Sequence, residues 1–350
     1  MLEREAAPHG LPRAAHLDSH ALAVLDAAGA PVDPAEARPL DGFDLVDARG
    51  RLLLRGRPAE PPRPGLPTGL LIHQPTVERA LRERLAALET VDVRLGHAVE
   101  QVEADAEGVT ISGVAAGGPF RVRAALGVGC DGARSRVREA IGAALRGGGF
   151  EQPWLVVDGL LRRPVPLPNR LLQIADPDQP TTFVPFPGRR RRWEFRLGPG
   201  EHADDVRQPD AVRALLAPHV DPDAVEVERA AVYVFHDLVA RPWRRGRLLI
   251  AGDAAHQMPP FLGQGLGAGL RDAWALAPLV EAVVRGRSPL GGLDAYEDER
   301  RPHVEAVVRQ AVRLGRLATL PRPLAAVRDR ALRAGHRVPA LRRLLLDVRG

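Results

Sequence analysis

The stretch "RGRLLIAGDAAHQMPPFLGQGLGAGLRDA", Arg245 to Ala273, decides how the chain is read. An apolar strand ends in Gly252-Asp253. The chain then passes Pro259-Pro260 and enters a helix through Gly263, Gly265, Gly267 and Gly269. Loops this rich in glycine let a backbone come close to a ligand, and prolines stiffen them. An ionised carboxylate only accepts hydrogen bonds, so Asp253 at the strand tip suits a ligand with hydroxyl groups. The helix starting near Gly265 points its positive end and its N–H groups at the same place. A turn acid or helix cap is the plainer reading of Asp253 alone. The prolines and glycines that follow it tip the balance.

Composition narrows the class of ligand and protein. The chain has 350 residues, 45% of them hydrophobic, enough for two packed domains or one large domain carrying an insertion. Charged residues make up 27%, and no apolar run is long enough to span a bilayer, so a globular, non-membrane chain is expected. Met1-Leu2-Glu3-Arg4 carries charge where a signal peptide would be apolar. The single cysteine, Cys130, rules out an internal disulfide framework and fits a reducing, cytoplasmic compartment. All 49 basic residues are arginine, so no lysine can form a Schiff base or bind phosphate. The densest run, Arg189 to Arg192, reads as a solvated hairpin end. Aromatics are only 4%, which argues against nucleic-acid binding. No His/Cys/Asp cluster has metal-ligand spacing.

Along the chain, residues 18–29 read as a helix with an Asp cap and a terminal glycine. Residues 43–56 read as a hairpin turning at Arg49-Gly50, followed by a proline-rich connector from Pro58 to Pro67. Residues 75–89 form an amphipathic helix with Pro75 at its first position. Short strands follow in "VDVRLG", "AVEQVEAD", "GVTISG" and "FRVRAALGVGC", then a loop and helix in "DGARSRVREAIG". From about Phe150 the texture becomes β-rich, with one helix in "PDAVRALLAPHV". Long helices close the chain, from Gly265 to about Val284 and from Leu293 onward.

Two glycine patterns compete as nucleotide loops. "GVGCDG", Gly127 to Gly132, matches G-x-G-x-x-G but lacks a second strand ending in an acid about 20 residues on. That distance falls in "RGGGFEQPW", which is not an apolar strand. "GQGLGA", Gly263 to Ala268, follows a Pro-Pro loop rather than a strand. Neither is taken as the primary nucleotide site.

Taken together, the motifs resemble those of the FAD-dependent aromatic hydroxylases. The opening stretch is similar to their second flavin-binding signature, and "VGCDGARSRVR" to their Asp-Gly motif. "LEREAAPHGLPRAAHLD" resembles the end of their second nucleotide-fold strand with its arginine loop, and "HQPTVERALRE" their glutamine-bearing helix start. "RRWEFRL" and "VYVFHDLVARPWRRGR" are similar to the subgroup acting on hydroxyphenylpropionate and hydroxycinnamate. The likeness runs from Leu2 to about residue 320, with five motifs in order.

The resemblance implies an α/β fold: an FAD-binding parallel-sheet nucleotide fold with an inserted β-rich substrate domain and C-terminal helices. The FAD-binding part is expected in residues 1–40, 73–149 and 236–292. A substrate-domain hairpin and connector is expected in 41–72, the β-rich insertion in 150–235 and a helical segment in 293–350. The family pattern places a strand, a G-x-G-x-x-G loop and a helix before the acid that is Glu3 here, and a thioredoxin-like domain often follows in the subgroup. The chain therefore reads as part of a longer hydroxylase, with the first βα unit missing.

The resemblance also implies cofactors and roles. FAD and NAD(P)H are the expected cofactors, and a small aromatic substrate and molecular oxygen the partners. Oxygen would add at the flavin C4a carbon and pass to a phenolic ring, so no protein nucleophile is needed. Glu3 would bind the adenosine ribose, and Arg13 would lie near the flavin and its pyrophosphate or the substrate. Gln74 would touch the ribityl chain, and Asp131 would brace Arg134 on the diphosphate side. Gly252, Asp253 and Pro260 would shape the flavin loop, and the amides of Gly265, Leu266 and Gly267 would face the ring. His16 would be on the substrate side, and His256 reads as a packed motif residue. A polyketide-type tailoring oxygenase is the alternative enzyme, and an inactive fragment acting as a binding module is the alternative of another class.

Overall fold

The computed structural model describes residues 1–40, 42–56, 61 and 65–335. Most of the connector Pro58–Pro67 therefore lies outside the described residues. Glu3 N–H bonds Arg94 O, and Leu2 bridges Arg94 in parallel. Strand β1 (His16–Asp18) runs into helix α1 (Ser19–Ala27), which Asp18 caps by accepting from Ala21 N–H at 2.9 Å. β2 (Ala37–Pro39) follows. The hairpin read at 43–56 is β3 (Phe43–Val46) and β4 (Leu52–Arg55), with Gly50 at φ +72° in the turn. β5 (Gly69–Ile72) pairs antiparallel with both β1 and β2. Helix α2 spans Gln74–Ala86.

The antiparallel sheet β6 (Ala98–Ala104), β7 (Val109–Ala115) and β8 (Gly118–Ala124) comes next. "VDVRLG", expected as a strand, forms none beyond the Arg94 bridge. β9 (Gly127–Gly129) leads to the short helix α3 (Arg136–Ala140). A Cβ on Gly129 would sit 2.5 Å from Val137 Cβ, so this glycine of the rejected motif lets α3 pack on its strand.

β10 (Ala144–Leu161) is one long strand. It takes in all of "RGGGFEQPW", which carries too few apolar residues to read as a strand. The ladder to its neighbour supplies the pairing, with a register shift between Gly147 and Glu151. β11 (Leu171–Ile174), β12 (Thr181–Val184) and β13 (Arg190–Arg196) follow, then α4 (Ala203–Val206) and α5 (Pro209–Leu216). β14 (Val225–Arg241) pairs along β10. Next come β15 (Arg244–Arg245), β16 (Leu248–Ile250) and β17 (His256–Gln257). Helices α6 (Gly265–Val284), α7 (Asp294–Ala318) and α8 (Arg322–Gly335) end the described chain.

The fold is mixed α/β. An eight-stranded sheet has the order β17-β14-β10-β13-β12-β11-β3-β4, so the hairpin at 43–55 joins the later β-rich strands. Trp193 and Phe195 on one face of this sheet pack with Val212 and Leu216 of α5. The parallel character expected of the nucleotide fold is carried by β9 and β16, paired from Gly127↔Leu248 to Gly129↔Ile250. Leu248, Leu249 and Ile250 pack against Leu276 of α6 and Tyr296 and Val304 of α7. Among the described residues no helix is long and apolar enough to cross a membrane.

Candidate functional site

In open α/β sheets ligands bind beyond the carboxyl ends of the parallel strands. Here those ends are the tips after β9 and β16, which lie side by side. Arg138, only 8% exposed, joins them: one guanidinium N–H donates to Ala133 O at 2.7 Å and another to Ala254 O at 3.1 Å.

After β16, Gly252 takes φ +61° and its backbone packs on Gly269 of α6, where a Cβ would stand 3.5 Å from Gly252 Cα. The left-handed φ of Gly252 is what calls for glycine in this turn. The turn Gly252–Ala254 presents Asp253. Its carboxylate accepts no hydrogen bond from any described residue. It keeps an open surface, yet crowding by the surrounding protein pushes its pKa up, while His256 and Arg13 pull it down. Asp253 is thus accessible at its surface while the protein around it disfavours its charged form.

The start of α6 packs against this turn. Gln264 precedes the helix with no side-chain cap, and the N–H groups of Gly265, Leu266 and Gly267 donate to no described residue. A Cβ on Gly265 would meet only Met258 Cγ, at 4.0 Å, so space stands beside it. A Cβ on Gly267 would come 3.0 Å from Arg271 Nη1 and 3.7 Å from Ala21 Cβ. Leu266 turns its side chain to the core formed by Leu17, Leu22 and Leu25. Pro260 begins a short 3-10 turn whose Phe261 is wedged among Phe150, Trp154 and Phe235. That wedge fixes the loop in place.

Behind the turn lies a feature the sequence reading missed. Asp272 is fully buried. It accepts from Gly252 N–H at 3.1 Å, His256 Nε2 at 2.6 Å and Arg300 Nε at 3.0 Å. Burial alone would raise its pKa, but the His256 contact and the Arg300 charge bring it below the usual range. His256 is 1% exposed and packs at a tilt against Trp243, which agrees with a packed motif residue. The available signal was an acid at Asp272 flanked at four-residue spacing by Ala268 and Leu276, both buried.

The remaining site residues divide. Gln74 spends both ends internally: Oε1 accepts from Arg13 N–H at 3.1 Å and Ala14 N–H at 2.6 Å, and Nε2 donates to Glu78 Oε1 at 2.7 Å. Asp131 does not bond Arg134. It accepts from the backbone N–H groups of Arg136 at 2.7 Å and Val137 at 3.2 Å, because the first turn of α3 leaves those donors without helical partners. Glu3 Oε1 accepts from Glu5 N–H at 2.9 Å. The Arg13 side chain is exposed and donates to no described residue. His16 packs beside Gly263, where a Cβ would lie 3.1 Å from Nδ1, and burial depresses its pKa against the opposing charge of Asp18.

The run Arg189–Arg192 is a hairpin end as expected, yet Arg192 is not solvated. It is 4% exposed, pairs with Asp158 at 2.7 Å, and donates to Pro12 O and Arg13 O at 2.7 Å each. Arg229 Nε joins Asp158 at 2.9 Å. Buried carbonyls and a buried acid need donors, and these arginines supply them. The network ties the large sheet to the arginine loop.

FAD fits the residues present at its ring and ribityl end. An open acceptor in Asp253 and three N–H groups unpaired among the described residues, at an uncapped helix start, form a complementary set of acceptor and donors, with room at Gly265.

Comparison with known proteins agrees with this geometry. Residues 1–311 match the family model described as FAD binding domain. The chain is 37% identical to a probable NADH-specific resorcinol 4-hydroxylase of Rhodococcus jostii, covering 94% of this chain and 63% of that protein. It is 36% identical to a 3-(3-hydroxy-phenyl)propionate/3-hydroxycinnamic acid hydroxylase of Mycolicibacterium smegmatis, covering 97% and 60%. The chain thus spans about 60% of the length of these curated relatives. The p-nitrophenol 4-monooxygenase PnpA of Pseudomonas putida superposes with a TM-score of 0.87 at 28% identity, over 99% of this chain and 90% of that one. The anhydrotetracycline hydroxylase OxyS of Streptomyces rimosus does so with 0.80 at 28% identity, over 98% and 69%. The chain belongs to the FAD binding domain family, the flavoprotein family of these aromatic hydroxylases.

Proposed function

We propose that the chain carries the flavin site of an NAD(P)H-dependent monooxygenase that hydroxylates a phenolic substrate, with a hydroxyphenylpropionate-like acid as the first candidate. The observation that carries this reading is the open Asp253 carboxylate beside the uncapped start of α6. The names of the two curated relatives support the reaction and the substrate class. The chemistry supplied by bound FAD is acceptance of a hydride from NAD(P)H and activation of oxygen for transfer to the ring.

The chain's own residues bind and orient. Asp253 accepts from a ribityl hydroxyl, Gly252 sets the turn that aims it, and the N–H groups of Gly265, Leu266 and Gly267 face the electron-rich edge of the ring. Pro260 holds the loop that the ring rests against. Arg13 brings positive charge to the pyrophosphate or substrate side, and Glu3 takes the adenosine ribose. Gln74 acts by fixing the Arg13–Ala14 backbone, and Asp131 by fixing the loop before α3. His16, held neutral by burial, lines the substrate side. Water exclusion falls to the aromatic wedge around Phe261. A single cysteine and the dependence on reduced nicotinamide fit a cytoplasmic setting.

The test is oxidation of NADH or NADPH by the purified protein supplied with FAD. Adding 3-(3-hydroxyphenyl)propionate or resorcinol should accelerate it and yield a product heavier by one oxygen. Acceleration only by large neutral polycyclic phenols would favour the tailoring reading, which the likeness to OxyS supports. Flavin binding without substrate-stimulated oxidation would leave a binding module.

A further inference from the structure

The motif "RRWEFRL" has no role in the flavin site described above. Along β13, Trp193 and Phe195 enter the core against α5. Alternation turns Arg192, Glu194 and Arg196 to the other face of the sheet. Two covers lie on that face. At one end Arg192 and Arg229 hold the Pro12–Arg13 backbone, Arg229 Nη2 donating to Pro12 O at 2.6 Å. At the other, Trp154 meets Phe261 with ring centroids 5.6 Å apart. The register sets Arg192 opposite Asp158, Glu194 opposite Val156 and Arg196 opposite Trp154. The row Thr182–Glu194–Val156–Ala231 therefore crosses the sheet between the two covers. The segments bearing those covers meet beyond it, where His16 packs on Gly263.

Glu194 is 7% exposed and accepts no hydrogen bond from any described residue. Arg192 Nη1 stands 3.8 Å from Oε1, too far for a hydrogen bond. A buried acid without a donor lacks a partner that native structures nearly always provide. Burial raises its pKa to about 6, Arg192 and Arg229 oppose the rise and Asp158 adds to it. These are the charged groups facing it from β13, β10 and β14, and its β12 neighbour is the uncharged Thr182. Glu194 is thus an ionised acceptor at neutral pH, with an affinity for protons suited to acid–base work.

We propose that Glu194 accepts the hydroxyl group of a phenolic substrate lying on this row and takes its proton during ring hydroxylation. The inference rests on the hydroxylase reading. As the ring accepts oxygen it becomes electron-poor and its hydroxyl becomes acidic. The O–H bond breaks, its electron pair moves toward the ring to form a carbonyl, and the proton bonds to Glu194. When the ring C–H proton departs to solvent and aromaticity returns, the proton on Glu194 goes back to the ring oxygen.

A chromophoric phenol tests this without turnover. 4-Nitrophenol bound to the FAD-supplied protein is titrated with pH by difference absorbance of its phenolate. An ionised carboxylate accepting the O–H disfavours the phenolate. The midpoint in the wild type should therefore lie about one pH unit or more above that in Glu194→Gln, with Glu194→Asp near the wild type. Glu194→Ala serves the same comparison if the Gln variant does not fold. Equal midpoints, or failure of 4-nitrophenol to bind the wild type, would overturn the proposal. Shifted midpoints in a protein that hydroxylates no phenol would sink the hydroxylase reading and leave Glu194 as a phenol-binding group.

Discussion

β9 and β16 are adjacent parallel strands, and each ends in a glycine and an acid ahead of a helix, but the two acids differ in what they bind. After β9, Asp131 turns back onto its own helix and accepts from Arg136 and Val137 N–H. After β16, Asp253 accepts from no described residue, and α6 begins twelve residues later with its first N–H groups donating to none among the described residues. One tip is satisfied by its own chain, while the other leaves an acceptor and a set of donors facing outward. A strand-tip acid marks a ligand site where the chain declines to satisfy it, and a structural cap where it does. The contrast depends on Asp272, which braces the open turn from behind so that Asp253 need not bend inward.

The largest effect expected is loss of that brace. Asp272→Ala leaves the buried Arg300 and His256 without their acceptor, and breaking a buried pair from one side costs about 3–5 kcal/mol. Thermal or urea unfolding should show it. The pKa of Asp272 is lowered in the folded protein, so its contribution is present above the ordinary carboxylate pKa and is lost as pH falls through the depressed value. A wild type no more sensitive to acid than Asp272→Asn would break the comparison at its support.

Gly265→Val comes next. The added side chain enters open space before the free N–H groups, so flavin affinity should drop by roughly tenfold, about 1.4 kcal/mol. The melting temperature should move little, because only Met258 Cγ approaches a Cβ there. A large stability loss with normal flavin binding would make the helix start a packing feature. The smallest effect belongs to the satisfied tip: Asp131→Ala should cost about 1 kcal/mol of stability, the usual price of a lost cap.

Much of this architecture was legible in the sequence. Asp18, Arg49-Gly50, Pro75 and the glycines after Pro260 are local signals, and each marks a real helix or turn boundary. What escaped depended on partners far away in the chain. Residues 144–153 become strand because β14 pairs with them. Arg192 is buried because Asp158 and the carbonyls of Pro12 and Arg13 meet it there. Asp131 and Gln74 fell in recognisable motifs, but which donors they would meet is a matter of backbone geometry that no motif spells out. Arg300 lies 28 residues from Asp272, on a different helix, and no spacing rule links them.

The most direct test of the contrast between the two tips is FAD titration, followed by flavin fluorescence, of the wild type, Asp253→Asn and Asp131→Asn in parallel with their melting curves. Losing a hydrogen bond to a charged acceptor costs about 1.5–3 kcal/mol. Asp253→Asn should therefore bind FAD at least about tenfold more weakly. Because burial raises the pKa of Asp253, its ionised form destabilises the flavin-free fold, so the variant should melt no lower than the wild type at neutral pH. That difference should vanish as pH falls below the ordinary carboxylate pKa. Asp131→Asn should melt lower with FAD affinity nearly unchanged. Unchanged FAD affinity in Asp253→Asn, together with a lowered melting temperature, would contradict the account and make Asp253 a structural acid like Asp131.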